Sequence, residues 1–161
     1  MRWFTFEKQV WVPEPITDVF EFFANAENLE TITPPWLHFS IVTPTPITMH
    51  VGAEIDYKLR LHGIPINWRS EITLWDPPNV FVDVQRKGPY RHWIHTHHFI
   101  EQNGGTLARD ELKYAVWGDR LINYLFVIGD IHKIFQYRAQ KLAEILSTRN
   151  SPEKSSDEPL L

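Results

Sequence analysis

The sequence predicts an α+β fold in which a curved, seven-stranded antiparallel sheet wraps a long C-terminal helix. Two short helices follow the first strand, and an apolar cavity is enclosed between sheet and helix. Three observations carry this. Apolar residues alternate with polar ones from residue 39 to 116, with turn signals between the runs. The period then switches to that of a helix from Arg120 onward. One further alternating run stands alone at residues 2–12, so a strand distant in sequence must close against the late ones.

The elements follow in order. In residues 2–12, Phe4, Phe6, Val10 and Val12 share one face, and Pro13 and Pro15 end the strand. Thr17 to Asn25 reads as a short helix with Val19, Phe20, Phe22 and Phe23 on its apolar side. Pro15 suits its first turn, where a missing N–H costs nothing. A second helical turn covers Glu27 to Ile32 and stops at Pro34-Pro35. Strands are then predicted at 39–43, 53–62, 66–76, 80–86, 90–101 and 106–116. In the second of these Ile55, Tyr57, Leu59 and Leu61 face inward while charged residues alternate with them. Trp68, Ile72 and Leu74 form the inward face of the third. Gly63-Ile64-Pro65, Pro77-Pro78-Asn79 and Lys87-Gly88-Pro89 supply turns, and Asn103-Gly104-Gly105 is the strongest hairpin signal. From Arg120 to Thr148, Leu121, Leu125, Ile128, His132, Phe135, Ala139, Leu142 and Leu146 mark a helical stripe, widened by Ile131, Ile134 and Ile145. One domain over residues 1–149 is expected, followed by a polar, aperiodic tail at 150–161.

Composition narrows the function. Aromatics make up 14% of the chain, enough that they must line a dense core or a cavity wall. The net charge of −4 argues against a nucleic-acid partner, which needs a basic face. Cysteine is absent, excluding disulfides, thiolate metal sites and a cysteine nucleophile; this fits a cytoplasmic location. No apolar leader is apparent, and no run of about 18 apolar residues predicts a membrane span.

Strand parity locates the candidate site. Trp93, His95, His97 and Phe99 share a face, and the two large aromatics turn that face inward. Pairing across Asn103-Gly104-Gly105 sets His97 beside Asp110, His95 beside Leu112 and Trp93 beside Tyr114. Pairing across Lys87-Gly88-Pro89 sets Asp83 beside Trp93 and Phe81 beside His95. The expected ligand-binding surface is therefore Tyr57, Leu59, Trp68, Phe81, Asp83, Gln85, Trp93, His95, His97, Phe99, Asp110, Leu112 and Tyr114 from the sheet. Ile128, His132 and Phe135 join it from the helix.

A histidine beside a buried carboxylate suits acid–base chemistry, so His97, Asp110 and Tyr114 are the candidate catalytic groups. The same polar groups could instead satisfy one another around a few waters. His132 could look into the cavity or bond a neighbouring carbonyl. His95-Thr96-His97 is a spacing able to chelate zinc, with Asp110, Asp83 or His132 as a conceivable third ligand. A lone histidine pair is weak support, and no metal and no cofactor is expected. The expected partner is a hydrophobic or amphipathic small molecule, such as a lipid, isoprenoid or polyketide-like ring. A cyclase or dehydratase acting without a cofactor is the alternative. The tail ending Pro159-Leu160-Leu161 is the only segment suggesting a protein partner.

The segment from Phe81 to Phe99, with Ile32 to Phe39, Gly63 to Trp68 and Asp110 to Tyr114, resembles the START/Bet v1-like superfamily of helix-grip proteins, grouped with polyketide cyclase/dehydrase and CoxG-type domains. The resemblance spans roughly residues 2–148. It implies a helix-grip fold and a bacterial single-domain protein described as ligand-binding or cyclase-like. Where that subgroup usually has a Pro-Phe-Gly-like turn before the last helix, this chain has Val116-Trp117-Gly118. The superfamily includes carriers, receptors and cyclases, so its fold leaves the function open.

Overall fold

The computed structural model describes residues 1–148, so the expected tail at 150–161 lies outside the described residues. Strand β1 (Phe4–Val12) is followed by helices α1 (Ile16–Ala24) and α2 (Asn28–Ile32) and a single 3-10 turn at Pro35–Leu37. The sheet continues through β2 (Ser40–Ile41), β3 (Glu54–Leu61), β4 (Ile64–Asp76), β5 (Val80–Lys87), β6 (His92–Gln102) and β7 (Gly105–Ala115). A short helix α3 (Asp119–Ile122) runs through a π-helical turn (Asn123–Val127) into α4 (Ile128–Thr148). The seven strands are ordered β1-β7-β6-β5-β4-β3-β2, all antiparallel, with β1 closing on β7 across the chain. This is the α+β, helix-gripping arrangement that the periodicities predict.

Turn chemistry fixes the clearest registers. Gln102 pairs with Gly105, leaving Asn103 and Gly104 as a two-residue hairpin with φ of 52° and 76°. A side chain at Gly104 would be strained there, which is why glycine fits. The β3–β4 hairpin is also tighter than the sequence suggests. His62 and Gly63 form its turn, and Ile64 and Pro65 already belong to β4.

Three features depart from the sequence reading. The register of β4 against β5 shifts between Ile72 and Leu74, and the bulge reverses the alternation beyond it. Leu74 therefore turns outward, and Trp75 packs on Phe20 and Phe81 instead. The β5–β6 connection is longer than a tight turn. Phe81 pairs with His97 and Asp83 with His95, two residues from the expected partners. A slip of two preserves parity, so every inward residue stays inward. Finally, a π turn interrupts the helix, and it takes more residues per turn than an α turn. The buried stripe beyond it is Ile131, Phe135, Arg138, Leu142 and Leu146. Leu121 and Leu125, placed on the stripe by spacing, are exposed.

The core is divided. Val12, Val19, Phe20, Ile72, Phe99, Leu142 and Leu146 belong to one cluster, under α1 and the C-terminal half of α4. Phe6, Leu112, Tyr114, Val116, Ile131 and Phe135 form the other, under the first turns of α4. The hollow described next takes lining residues from both.

Candidate functional site

A partly open cavity of about 180 Å³ lies between the sheet and α4. Its lining is mostly aromatic and aliphatic: Tyr57, Leu59, Trp68, Phe81 and Trp93 face it from the strands, and Phe22 and Phe23 from α1. Ile131, Ile134, Phe135 and Arg138 face it from α4. Trp68 stacks on Tyr57 at 5.9 Å and meets Trp93 edge-on at 5.3 Å, so the aromatic wall is a connected surface.

One polar strip crosses that wall from β3 to β7. The Tyr57 hydroxyl is 3.0 Å from Ser70 Oγ, which donates to Asp83 Oδ1 at 3.3 Å. Asp83 Oδ2 lies 2.8 Å from His97 Nε2 and 3.6 Å from His95 Nδ1. The far edges of both rings meet Asp110: its Oδ1 is 2.8 Å from His95 Nε2 and 3.2 Å from His97 Nδ1. The second of these is off the direction of a hydrogen bond, leaving His97 Nδ1 with an electrostatic contact only. The two imidazoles thus lie between two carboxylates, with ring centroids 3.8 Å apart. His97 also stacks on Phe81 at 4.0 Å, which fixes its plane.

Arg138 completes the strip from the helix. It is 9% exposed, with Nε 3.7 Å from Asp110 Oδ2 and its guanidinium over the Phe23 ring at 5.3 Å. That Nε makes no hydrogen bond within the described residues. Burial and distance set the charges. Burial pushes Asp110 up, but Arg138 and the two histidines outweigh it and hold the carboxyl well below the usual carboxylate range. Burial likewise opposes ionisation of Asp83, and its bond to His97 with the neighbouring positive groups brings the balance below the ordinary value. Burial and the adjacent His97 lower His95 against the pull of both carboxylates. For His97 burial also acts downward, yet contact with Asp110 and Asp83 raises it. The strip therefore separates one neutral-leaning from one charge-leaning imidazole.

The structure brings together Tyr57, Leu59, Trp68, Phe81, Asp83, Trp93, His95, His97 and Phe135 on the cavity wall. Asp110 sits behind the histidines rather than on the wall. The remaining sequence candidates go elsewhere, each for a visible reason. The Tyr114 hydroxyl donates to Asn123 Oδ1 at 2.8 Å, because the π turn carries that asparagine under β7. Four residues of strand, about 13 Å, also separate it from Asp110; it does not join the His97–Asp110 group. Gln85 uses both ends of its amide on the Tyr90 backbone and braces the β5–β6 loop. Phe99 packs against Phe20 and Phe23 in the first core cluster, and Leu112 is fully buried in the second. His132 is exposed, edge-on to Phe6 at 4.8 Å, and Ile128 is half-buried outside the lining; the rotated stripe turns both away.

Arg138, Ser70 and Tyr90 were missed by sequence reasoning. Arg138 carried a signal: it falls at helical spacing between Phe135 and Leu142, a basic residue on an apolar stripe.

No helix among the described residues is long and apolar enough to cross a membrane. No curated protein matches the sequence. Solved structures match across nearly the whole chain. A Mycobacterium smegmatis protein, Ms6760, aligns with TM-score 0.68 at 17% identity, covering 91% of this chain and 92% of its own. Ginseng major latex-like protein 151 from Panax ginseng gives 0.66 at 11% identity, covering 89% and 97%. TTHA0849 from Thermus thermophilus gives 0.63 at 18% identity, covering 91% and 99%. At such identities the likeness speaks for the fold, and a family model adds sequence: the one described as polyketide cyclase / dehydrase and lipid transport matches residues 12–128. Sheet order, helix placement and matched segment agree, and the chain belongs to that family, within the START/Bet v1-like superfamily.

Proposed function

We propose that this protein takes up a hydrophobic or amphipathic small molecule in the cavity between its sheet and α4. The observation that carries the reading is a hollow with an aromatic lining and a single polar strip. Apolar walls supply contact area, and a few convergent polar groups fix orientation. A cavity of this volume takes about one ring or a short chain, since about 150 Å³ holds benzene. A longer isoprenoid or acyl chain would extend through the open side. The family's own description, polyketide chemistry and lipid transport, concerns molecules of this kind.

Native mass spectrometry of the protein isolated from its source cells tests the reading, with a bound apolar molecule as the expected result. Trp93→Ala removes a wall between Trp68 and Tyr90 and should weaken uptake of an anilinonaphthalene sulfonate probe. Equal uptake by a folded Trp93→Ala protein counts against the cavity as the binding place.

A second reading is favoured by one observation, the hydrogen bond of buried His97 to Asp83. Such a pair can move a proton in a cyclisation, dehydration or isomerisation. Here His97 acts with Asp83 and, behind it, Asp110; Tyr114 takes no part. This reading expects His97→Gln to retain probe uptake and lose turnover of a polyketide-like substrate.

A further inference from the structure

Two histidines and a carboxylate converge on the cavity side of the strip. Asp83 Oδ2, His95 Nδ1 and His97 Nε2 come from adjacent strands, with Asp83 and His95 directly paired. Ligand atoms from the three residues lie within 4.8 Å of one another, and all three residues line the cavity. Bonds of about 2.0–2.2 Å in tetrahedral or octahedral geometry set neighbouring ligand atoms roughly 3.0–3.5 Å apart. The separations of 2.8 Å and 3.6 Å from Asp83 bracket that span.

A second observation is independent of the first. The nitrogens pointing away from the cavity, His95 Nε2 and His97 Nδ1, both face Asp110 Oδ1, which lies behind the wall. Metal-binding histidines are held as His95 is, with the free ring nitrogen hydrogen-bonded to a carboxylate that fixes tautomer and ring plane, while the same carboxylate meets His97 Nδ1 electrostatically.

We propose that Asp83, His95 and His97 form a three-ligand site for one divalent transition-metal ion of the zinc or ferrous-iron class, with Asp110 orienting the His95 imidazole, Phe81 holding the plane of His97, and the open coordination positions facing the cavity. Two histidines and one carboxylate with free positions are the donor set that such ions use when they must also hold an exogenous oxygen or water. Charge points the same way. The carboxylates of Asp83 and Asp110 face one guanidinium, that of Arg138, so a divalent cation that displaces the proton from His97 enters a site with one net negative charge. The sequence alone argued against a metal because it offered a lone His-x-His pair. The fold supplies the third ligand from the neighbouring strand. The inference goes beyond the proposed uptake of an apolar molecule and stands whether or not one enters.

The test uses the full chain, stripped with a chelator and titrated with zinc chloride by calorimetry and with cobalt chloride in the visible region, with no organic ligand added. One ion per chain is expected, with cobalt bands of nitrogen and oxygen coordination. Asp110→Asn should weaken zinc by about 10–100-fold, and Asp83→Asn by more. Zinc affinity unchanged in a folded Asp83→Asn protein would place the ion on other histidines and overturn the proposal, as would the absence of stoichiometric binding to the wild type. Histidine ring nitrogen NMR of the wild type needs no variant. Zinc must shift the resonances of His95 and His97, and shifts confined to exposed His38, His50 and His92 would equally overturn it.

Discussion

Asp110 and His97 carry opposite pH signatures, and each can be read separately. Asp110 is buried against His95 and Arg138, so Asp110→Asn keeps the shape but leaves the guanidinium short of a counter-charge. The expected loss is about 3–5 kcal/mol at neutral pH, measured by urea unfolding. Its carboxyl is held below the usual value of 3.8, so the wild type's advantage is present above that value. The advantage should fade as pH falls further, through the folded value. His97 behaves in reverse. Its folded pKa is raised above 6.5, so its contribution is complete below 6.5 and is lost as pH climbs through the folded value. The stability gap between the wild type and His97→Gln should therefore narrow as pH rises above 6.5 and through the folded value. A gap that widens over that range would mean that His97 is neutral in the folded protein.

Helix α4 separates what spacing can tell from what it cannot. The existence of a long amphipathic helix follows from recurring apolar positions, and Phe135, Leu142 and Leu146 are buried as that spacing requires. The phase does not follow. His132 and Ala139 fill positions on the sequence-drawn stripe, yet Ile131 and Arg138, one residue earlier in each case, lie against the sheet. A π turn gives no signal in hydrophobic spacing, and an arginine counts as polar wherever it stands. The strands teach the same lesson. Inward parity of Trp93, His95 and His97 was legible from alternation, and β6–β7 pairing from Asn103-Gly104. The β5–β6 pairing was not, because Gln85 and Tyr90 extend the loop through contacts that alternation cannot report. The two phases of α4 make different predictions. Leu142→Ala should cost about 2–5 kcal/mol, since the side chain is 1% exposed. Leu125→Ala should fall within about 0.5 kcal/mol, since its side chain is 54% exposed. The uninterrupted stripe would rank them together, and chemical unfolding of the two variants decides between them.

For the molecule as a whole, the division of the core is the feature with most consequence. A chain selected only for stability would fill the gap between its two apolar clusters, because each void forfeits packing. Here the gap is kept, and it is rimmed by side chains that could have been larger. Ala26 is one of them: it lines the cavity just after α1 and is 7% exposed. Ala26→Leu adds three carbons, worth about 2 kcal/mol if they enter existing space at about 0.8 kcal/mol each. The ligand-free variant should therefore be as stable as the wild type or more so, by up to about 2 kcal/mol, while its uptake of an apolar probe falls. Were the region solidly packed, the same substitution would cost about 1–3 kcal/mol through strained rotamers. Were the hollow present but unused, stability would rise and uptake stay unchanged. Urea unfolding and probe titration on this single variant separate the three outcomes, and only a hollow that itself takes up the probe lets the variant gain stability and lose binding together.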